Sequence, residues 1–370
     1  MGLNTSHLIT VFNAFNHYCT LTEIQEFSSG HINDTYLIRT TGQQYFVLQR
    51  INAEVFKNVP ELIANKVKVS THLISKLPEL PIEEKHRRVL TFLPTKTGAY
   101  YHQDEFDQFW NLTYYISNSI SYDTVTNKEI AYEGGKLFGK FISQTRDFDA
   151  SELVEIIPDF HNVPIRLLQF KHAKQKASAE RIRKTSTERL RVEALKEEMV
   201  ILQHLKDEGK IPTRVTHNDT KISNALFDKN DKGLCVIDTD TVMPGIVHND
   251  FGDAIRTICN IAAEDEQDLS LVKFNVVYYE AYLKGFLEEL RDSLSDLEIQ
   301  YLARGAKTII FIMGLRFLTD YLAGDVYYKT SYDAHNLDRA KNQFKLIESF
   351  EEQYEAILKI SKKYSRSSIN

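Results

Sequence analysis

Cysteine is scarce in this chain, and the few cysteines have no spacing that forms a recognisable site. Three occur in 370 residues, at Cys19, Cys235 and Cys259, and this odd, sparse set matches neither a disulfide framework nor a zinc motif. Such usage is typical of proteins of the reducing cytoplasm. The N-terminus also lacks a basic region followed by an apolar core, which argues against a signal peptide. We therefore expect a cytoplasmic protein.

Long hydrophobic runs and an excess of positive charge are missing as well. The most apolar run, Thr308 to Leu315, is far shorter than a bilayer requires, so it predicts a buried helix and no membrane partner. Lysine and arginine total 45 against 51 aspartates and glutamates, and no basic tract is interleaved with aromatic residues. This pattern argues against nucleic acid as a partner. The sequence does not determine the oligomeric state.

The periodicity of apolar residues divides the chain into a β-rich and an α-rich part, and the length suits two units. Five β-rich runs are predicted as strands: Glu23–Phe27, Thr35–Arg39, Tyr45–Gln49, Arg88–Leu93 and Phe109–Ile116. Helical patterns cover Pro60–Leu77 and then, approximately, residues 128–145, 165–206, 267–290, 294–323 and 336–362. We therefore predict a β-rich lobe over residues 1–117, with a five-stranded sheet and one helix, and an α-rich lobe over residues 118–370.

The strongest motif of the chain is a loop with the pattern H-x-D-x-x-x-x-N. It comprises His217, Asp219 and Asn224, and a second carboxylate, Asp238, follows behind an apolar run. Phosphoryl transfer from ATP needs residues of these types. One aspartate accepts the proton of the attacking hydroxyl, and an asparagine and another aspartate hold the magnesium that bridges the phosphates. We interpret His217 as a buried residue that orients the loop.

The residues that follow the loop predict a β-hairpin that brings two metal ligands together. Apolar runs at 225–227 and 234–237 flank the turn-forming segment Lys229 to Gly233. A register centred on Asp231 pairs Asn224 with Asp238. Two oxygen ligands at the open end of the hairpin suit magnesium, which binds one or two carboxylates together with phosphates and water.

A second motif, D-F-G at residues 250–252, spells the metal-binding motif of protein kinases. It lies 26 residues beyond the asparagine of the loop, which is too far for the metal-binding aspartate, whereas Asp238 lies 14 residues beyond it. We therefore interpret Asp250 and Asp253 as structural. They either cap a helix that starts near Ala254 or brace the catalytic loop.

Seven segments carry a resemblance to a known family. They are Gly30–Tyr36, Leu48–Asn52, Pro158–Asn162, Thr216–Lys221, Cys235–Gly245, Asp250–Arg256 and Arg316–Leu322. In these segments, which span most of the chain, it resembles the N-acetylhexosamine 1-kinases of the aminoglycoside-phosphotransferase-like superfamily. The resemblance implies an α+β, protein-kinase-like bilobal fold. The small lobe is then an antiparallel sheet with one helix, and the larger lobe is α-rich.

The resemblance also implies an activity and its residues. The reaction is phosphorylation of the anomeric C1 hydroxyl of N-acetylglucosamine or N-acetylgalactosamine, with ATP and Mg2+. By position in the motifs, Asp219 is the general base, Asn224 and Asp238 are magnesium ligands, and Asp240 is a weaker candidate for a ligand.

Three further residues are implied as contacts of the sugar: Asn218, Arg316 and Tyr321. The amide of Asn218 adjoins the base and both donates to and accepts from hydroxyl groups. Arg316 has an alternative structural role, since Asp320 lies four residues further along the same predicted helix. Tyr321 is similarly ambiguous. The sequence does not show which of the two epimers is preferred.

We predict eight residues around the nucleotide: Gly30, His31, Asn33, Thr35, Gln49, Arg50, Tyr115 and Ser117. The turn from Gly30 to Asp34 has a single glycine, so it either covers the phosphates with its amides and Asn33 or is a plain hairpin turn. Kinases place a phosphate-binding lysine on the third strand, and here Gln49 or Arg50 occupies that place. We expect the adenine at the hinge, against the backbone of Tyr115 to Asn118.

Two alternatives to a sugar 1-kinase remain open from the sequence. One is a kinase of the same fold that acts on another small alcohol, such as choline, methylthioribose, homoserine or an aminoglycoside. A choline site would need an aromatic, acidic cage, which the sequence does not locate. The other is a nucleotide-binding pseudokinase. The intact Asp219, Asn224 and Asp238 argue against it, whereas the missing lysine of the third strand leaves room for it.

Overall fold

The computed structural model describes residues 5–27, 32–42 and 44–364. Over these residues the chain forms a small lobe around an antiparallel sheet and a larger helical lobe, so the predicted α+β fold is confirmed. The lobe boundary at residue 117 stays a prediction. Among the helices of the described residues, none has the length and apolar character needed to cross a membrane. The cytoplasmic location also stays a prediction.

The small lobe is built on a five-stranded antiparallel sheet with the order β1-β2-β3-β5-β4. Its strands are β1 (Leu21–Phe27), β2 (Asp34–Thr40), β3 (Tyr45–Ile51), β4 (His102–Gln103) and β5 (Phe109–Tyr114). Side chains alternate between the two faces of a strand. Phe46 and Leu48 pack with helix α1 (Thr5–Asn13) on one face. Ile51 packs with helix α2 (Val59–Ser75) on the other side of the sheet, which faces the larger lobe.

Two predictions for the small lobe are wrong. Residues 88–93 do not form a strand, because helix α3 (Ile82–Arg88) ends there and the following segment makes only an isolated bridge between Phe92 and Thr113. The lobe also contains three helices within its described residues and not one. Helix α3 consists mainly of glutamate, lysine and arginine, which are good helix formers. Because none of its residues is buried, hydrophobic periodicity does not reveal it.

The larger lobe is mainly helical. Its helices are α4 (Lys128–Gln144), α5 (Val163–Lys176), α6 (Ala179–Lys184), α7 (Ser186–Met199), α8 (Ile201–Asp207), α9 (Val247–Ile258), α10 (Val276–Leu290), α11 (Asp296–Ala323), α12 (His335–Glu352) and α13 (Tyr354–Tyr364). Its short strands are β6 (Ile120–Ser121), β7 (Arg214–Thr216), β8 (Ala225–Phe227), β9 (Gly233–Val236) and β10 (Met243–Gly245). The single helix predicted over 165–206 is wrong, because this part of the chain forms the four separate helices α5 to α8. Ser178 caps the start of α6, since its hydroxyl oxygen accepts the N–H of Arg181.

The core of the larger lobe forms where helices α4, α9, α10 and α11 pack together. Helices α4 and α10 approach so closely that a Cβ atom on Gly135 would clash with the carbonyl oxygen of Tyr282. Only glycine permits this contact between two backbones. Phe251 of α9 packs against Phe286 of α10, with 5.3 Å between the ring centroids. Helix α9 is therefore fixed in the core, and it presents its polar face to the catalytic loop.

Candidate active site

The catalytic loop joins β7 to β8 and is oriented by His217. The buried imidazole lies between the rings of Phe138 and Phe141, at centroid distances of 5.8 and 5.9 Å. The backbone N–H of Asp219 donates to His217 Nδ1 (3.3 Å). This tautomer leaves Nε2 to donate to the carbonyl oxygen of Ile237 (2.9 Å). His217 thus ties the loop to the hairpin, in agreement with the role predicted for it.

Two aspartates of α9 brace the same loop from behind. The Asp250 carboxylate accepts the backbone N–H groups of the two residues before Asp219, at 2.8 and 2.7 Å, and Asp253 accepts that of the residue after it, at 2.9 Å. Burial raises the pKa of Asp250 to about 6. Because α9 begins at Val247, neither aspartate caps a helix near Ala254. Of the two predicted roles, bracing of the loop is the one that the contacts show.

The Asp219 carboxylate lies at the open side of the loop, with 30% of its side chain exposed. It accepts a hydrogen bond from Asn224 Nδ2 (2.9 Å), and Lys221 Nζ lies 3.1 Å away. Burial on its own would raise the pKa of this carboxyl, but the charge of Lys221 and the hydrogen bonds from Lys221 and Asn224 hold the pKa below its ordinary value. Asp219 is therefore ionised at neutral pH and is able to accept a proton.

The hairpin after the loop has a register one residue away from the predicted one. The backbone N–H of Ile237 donates to the carbonyl oxygen of Asn224 (2.9 Å), so these two residues lie opposite each other. The predicted pairing of Asn224 with Asp238 is therefore wrong. The turn is centred one residue earlier than Asp231, since Phe227 pairs with Gly233, and a shift in register between Leu226 and Phe227 then leaves the open end one residue from the predicted pairing. An irregularity of this kind cannot be placed by counting residues from the centre of the turn.

Asp238 leaves the hairpin in the left-handed backbone region, with φ of 59°. Burial and the nearby charges of Asp240 and Asp219 raise the pKa of Asp238 to about 7. A divalent cation would relieve this crowding of carboxylates, and Asn224 adds an amide oxygen. Among the described residues, no three His, Cys, Asp or Glu side chains form a complete metal site. The residues fit magnesium together with the phosphates and water that it usually keeps.

Asp240 has a different environment from Asp238. It lies in the short 3-10 helix Thr239–Thr241 and is 4% exposed. One carboxylate oxygen accepts a hydrogen bond from Lys66 Nζ of α2, and the other accepts from Asn33 Nδ2, in the turn before β2. The structure thus brings Asn33, which was predicted near the nucleotide, to the segment that follows Asp238.

Gln49 and Thr35 lie opposite each other on β3 and β2, so their side chains share one face of the sheet. This is the face toward α2, and Gln49 Oε1 lies 3.3 Å from Lys66 Nζ. The structure therefore places Gln49 beside the buried lysine and Thr35 next to Gln49 on the same face of the sheet. Gly30 and His31, which were also predicted around the nucleotide, lie outside the described residues.

Arg50 points to the opposite face of β3. Its guanidinium pairs with the carboxylate of Asp34, its neighbour on β2, and donates to Gln108 Oε1 (2.9 Å). A residue next to Gln49 in a strand cannot share its face, because side chains alternate. Arg50 therefore lies on the face of the sheet away from Gln49, and its contact with phosphate stays a prediction.

The hinge between the lobes is anchored to both of them. The backbone N–H of Tyr115 donates to the carbonyl oxygen of Tyr45 on β3 (3.0 Å). Ile116 is buried in a cluster with Leu234 and Cys235 of the hairpin strand β9. The segment that contains Tyr115 and Ser117 therefore lies between the sheet and the hairpin of the catalytic loop. The adenine contact there stays a prediction.

A pocket beside the catalytic loop is lined by residues that include Asn218, His161 and Thr308. The amide nitrogen of Asn218 donates to the hydroxyl oxygen of Thr216 (2.9 Å) and to the carbonyl oxygen of Thr241 (3.0 Å). The nitrogen is thus engaged within the protein, and the amide oxygen is left for the predicted contact with a substrate. We refer to this pocket, together with the neighbouring Arg316 and Arg166, as the acceptor side.

Arg316 of α11 is held among aromatic rings. Its guanidinium carbon lies 4.9, 5.9 and 5.5 Å from the ring centroids of Phe160, Tyr327 and Tyr328. The alternative structural role, a salt bridge to Asp320, is wrong. Asp320 instead accepts backbone hydrogen bonds that include those from Tyr327 and Tyr328, both at 2.9 Å. Within the described residues Arg316 has no ion pair.

Arg166 of α5 provides a second guanidinium on the acceptor side. It donates to the carbonyl oxygen of Phe160 (2.9 Å) and to Gln169 Oε1 (2.9 Å), and it too has no ion pair within the described part of the chain. Burial and the charge of Arg316 lower the pKa of Arg166 to about 10. Burial and the same two arginines hold the pKa of His161 well below its ordinary value, so this imidazole is neutral. The net charge of these three side chains is therefore positive.

Tyr321 does not belong to this group. It lies against α6, where the guanidinium carbon of Arg181 is 4.4 Å from the centroid of its ring. Arg181 also pairs with Asp325 (2.7 Å). These contacts place Tyr321 beside Arg181 and apart from the acceptor side, and its contact with the substrate stays a prediction. Five positions along an α-helix correspond to a rotation of about 140°, which turns Tyr321 away from the face that carries Arg316.

Comparison with known families decides what kind of protein contains this site. Residues 23–289, well over half of the chain, match the sequence model of the phosphotransferase enzyme family, APH. The chain belongs to this family. This confirms the coarser part of the predicted relationship, and the N-acetylhexosamine 1-kinase type stays a proposal.

Three solved structures are similar to this phosphotransferase. The aminoglycoside phosphotransferase from Alicyclobacillus acidocaldarius subsp. acidocaldarius DSM 446 has a TM-score of 0.63 at 13% identity, covering 96% of this chain and 98% of its own. Choline kinase from Cryptosporidium parvum Iowa II has a TM-score of 0.60 at 14% identity, and the match covers 98% of this chain and 99% of the choline kinase. The amicoumacin kinase hAmiN, solved with AMP-PNP, Ca2+ and Ami, has a TM-score of 0.58 at 13% identity, and the match covers 93% of each chain. At these identities the likeness shows the fold alone.

Sequence reasoning missed two lysines of the phosphotransferase site. Lys221 faces Asp219 and Asp238. Although burial opposes its charged form, these carboxylates raise the pKa of Lys221. Its position two residues after the predicted base was a signal that could have found it. Lys66 had no comparable signal, because it reaches Asp240 from a position 174 residues earlier in the chain.

Proposed function

We propose that this phosphotransferase transfers the terminal phosphate of ATP to the C1 hydroxyl of N-acetylglucosamine or N-acetylgalactosamine, with Mg2+. The sequence resemblance to N-acetylhexosamine 1-kinases supports the acceptor. The nucleotide and a divalent cation are supported by the similar amicoumacin kinase, whose structure contains AMP-PNP and Ca2+. The observation that carries the choice among acceptors is the positive charge of the acceptor side.

In this proposal the catalytic loop supplies the chemistry. Asp219 accepts the proton of the C1 hydroxyl as the oxygen attacks phosphorus. Asn224 and Asp238 hold Mg2+, which neutralises charge on the phosphates when it is bound. Lys221, 3.1 Å from Asp219, adds positive charge at the position where the phosphate is transferred. His217 and Asp250 keep the loop in this conformation through the hydrogen bonds described above.

The charge of the acceptor side argues against a cationic acceptor. At an effective dielectric constant of 20, two like charges about 6 Å apart repel each other by about 3 kcal/mol, which is roughly a hundredfold in affinity. An ammonium group near Arg316 and Arg166 would meet such repulsion. Two carboxylates, Glu155 and Asp159, also line the pocket and reduce this repulsion, although each already accepts a hydrogen bond from a neutral protein donor, Asp159 N–H (3.1 Å) and Asn162 Nδ2 (2.8 Å) respectively.

An N-acetyl group fits the acceptor side better than a free amine. Acetylation removes the positive charge of a hexosamine and adds a carbonyl oxygen, which accepts hydrogen bonds from guanidinium groups. A site that makes such bonds disfavours sugars that lack the group, because its donors would be left unpaired. Choline and aminoglycosides carry cations and are therefore disfavoured acceptors in this proposal. Plain glucose is expected to be intermediate.

A panel of acceptors tests the proposed function. We expect N-acetylglucosamine or N-acetylgalactosamine to give the highest kcat/KM, glucose at least about tenfold less, and glucosamine, homoserine and choline least of all. Methylthioribose, a neutral sugar, is a necessary member of the panel. The product is identified by phosphorus NMR, which distinguishes a phosphate on C1 from one on C6. Phosphate on C6, or choline as the best acceptor, would contradict the proposal, and ATP binding without any turnover would favour a pseudokinase.

An Arg316→Ala variant tests the proposed source of this selectivity. We expect kcat/KM for the N-acetylhexosamine to fall at least about tenfold, since a charge-assisted hydrogen bond is lost. The ratio of kcat/KM for the N-acetylhexosamine to kcat/KM for glucosamine should fall, because the variant lacks one of the charges that repel an ammonium group. The KM for ATP should not change. Arg304→Ala is the matched control, since Arg304 lies on the same helix but pairs with Glu198 (2.7 Å). Equal preferences in Arg316→Ala and the wild type would refute this role of Arg316.

A further inference from the structure

We propose that Lys66 of helix α2 is the lysine that contacts the phosphates of the nucleotide, and that Asp240 is its positioning partner and not a metal ligand. The inference rests on the proposed use of ATP, but it does not depend on which acceptor is phosphorylated. In protein kinases the phosphate-binding lysine lies on the third strand and pairs with a glutamate of the helix that follows. In this chain the lysine is on the helix instead.

The position of Lys66 matches that role. Its side chain is 3% exposed, and its ammonium group lies 3.3 Å from Gln49 Oε1, on the strand where kinases carry the lysine. Gln49 cannot supply a positive charge, and Arg50 points to the other face of the sheet. On the opposite side, Lys66 Nζ lies 5.4 Å from the centroid of the Phe92 ring. The cation therefore occupies the space between the sheet and the metal-binding segment.

The helix that carries Lys66 is fixed to the larger lobe by its neighbour Asn65. The Asn65 amide nitrogen donates to the carbonyl oxygens of Val154 (2.8 Å) and Val242 (3.0 Å), and its oxygen accepts the N–H of Val154 (3.0 Å). Val242 directly follows the 3-10 helix that contains Asp240. The bond to Val242 joins α2 to that segment, and the two bonds to Val154 join α2 to the rest of the larger lobe. The position of α2, and not the flexible side chain alone, therefore places Lys66 at the segment.

Asp238 and Asp240 differ in the protein groups that bind to their carboxylates. Both oxygens of Asp240 accept hydrogen bonds from protein groups, Lys66 Nζ on one and Asn33 Nδ2 on the other. The carboxylate of Asp238, by contrast, accepts no hydrogen bond and forms no ion pair within the described residues, so it is the one left for a metal ion. Asp240 therefore holds the lysine, as the helix glutamate does in protein kinases. The lysine of that ion pair lies on the helix and not on the strand, and its acidic partner lies in the 3-10 helix Thr239–Thr241.

The turn before β2 is joined to the same pair. Asn33 Oδ1 accepts the backbone N–H of Asn52 (2.9 Å), just beyond β3, while its Nδ2 donates to Asp240. The residue predicted to cover the phosphates is thus connected to the proposed phosphate-binding lysine through one carboxylate. A phosphate group that approaches under the turn would meet Lys66 as the nearest buried cation of the small lobe within the described residues.

Calorimetric titration with ATP and with adenosine, in the presence of magnesium and without acceptor, tests the role of Lys66. In Lys66→Gln we expect the Kd for ATP to rise at least tenfold and the Kd for adenosine to change less than twofold, because adenosine has no phosphates. Lys68→Gln is the matched control. Lys68 lies on the same helix but is exposed, and it donates to the carbonyl oxygen of Glu152 (2.7 Å).

Two more variants separate a phosphate contact from a structural role. Adding Gln49→Lys to Lys66→Gln returns a lysine from the strand, and we expect it to restore part of the ATP affinity. Asp240→Asn should weaken ATP binding and leave the magnesium concentration for half-maximal binding within twofold. Equal loss of ATP and adenosine affinity in Lys66→Gln, or unchanged ATP affinity, would overturn the proposal, as would a large shift of the magnesium titration in Asp240→Asn. Failure of the wild type to bind ATP would refute the proposed function itself.

Discussion

An Asp219→Asn variant is expected to turn over about 10²–10⁴-fold more slowly than the wild type, because it removes the proposed general base. The asparagine has the same shape, and its amide oxygen can still accept from Asn224 Nδ2 and Lys221 Nζ, the two donors that now face Asp219 Oδ2. We therefore expect the melting temperature to stay close to that of the wild type. Initial rates with saturating ATP and a calorimetric melting scan measure the two quantities.

Asp123→Asn is a suitable control for this variant, since Asp123 is exposed on the surface of the same lobe. It should leave both turnover and melting temperature unchanged. If Asp219→Asn retained more than about a tenth of the wild-type rate, the assignment of the base would be wrong. A large fall in melting temperature would instead show that Asp219 acts mainly by holding the loop.

Asp238→Ala and Asp250→Ala are expected to have opposite effects. Asp238→Ala should raise the magnesium concentration for half-maximal activity at least about tenfold, because a carboxylate ligand is lost. Since burial and repulsion raise the folded-state pKa of Asp238 to about 7, its ionised form opposes folding above that pH. The free energy of unfolding at pH 8 should therefore stay the same or increase in the variant.

Asp250→Ala should lower the free energy of unfolding without changing the magnesium titration of the remaining activity. It leaves two buried backbone N–H groups of the catalytic loop without their acceptor, at a cost of about 1–3 kcal/mol for each group. Urea unfolding at constant pH measures the loss. If Asp250→Ala shifted the magnesium titration and Asp238→Ala did not, the D-F-G segment would be the metal-binding motif after all.

Short-range features of this protein followed from the sequence. The first three strands are rich in aromatic and β-branched residues, and their predicted centres lie within about one residue of those of β1, β2 and β3. The catalytic loop has its chemistry within eight consecutive residues, so its spacing alone indicated phosphoryl transfer. In both cases the pattern is local, because the composition of a strand or a fixed loop spacing does not depend on distant partners.

Predictions that depended on geometry beyond a few residues were less successful. The hairpin register was off by one, because the turn is centred one residue before Asp231 and a shift between Leu226 and Phe227 changes the register again, and neither can be counted from the sequence. The salt bridge between Arg316 and Asp320 was compatible with helix spacing. It does not form, because backbone N–H groups of the following loop bind Asp320 instead.

Local sequence patterns were enough to predict the kind of fold, the catalytic loop and the reaction class that its residues support. The packing of the helices and strands, in contrast, sets which cation faces the metal-binding segment and which arginines lie on the acceptor side without an ion pair. Lys66 and Asp240 are 174 positions apart, and Arg166 and Arg316 lie on different helices. Such juxtapositions arise from the packing of whole elements, and neither periodicity nor motif spacing along the chain encodes them.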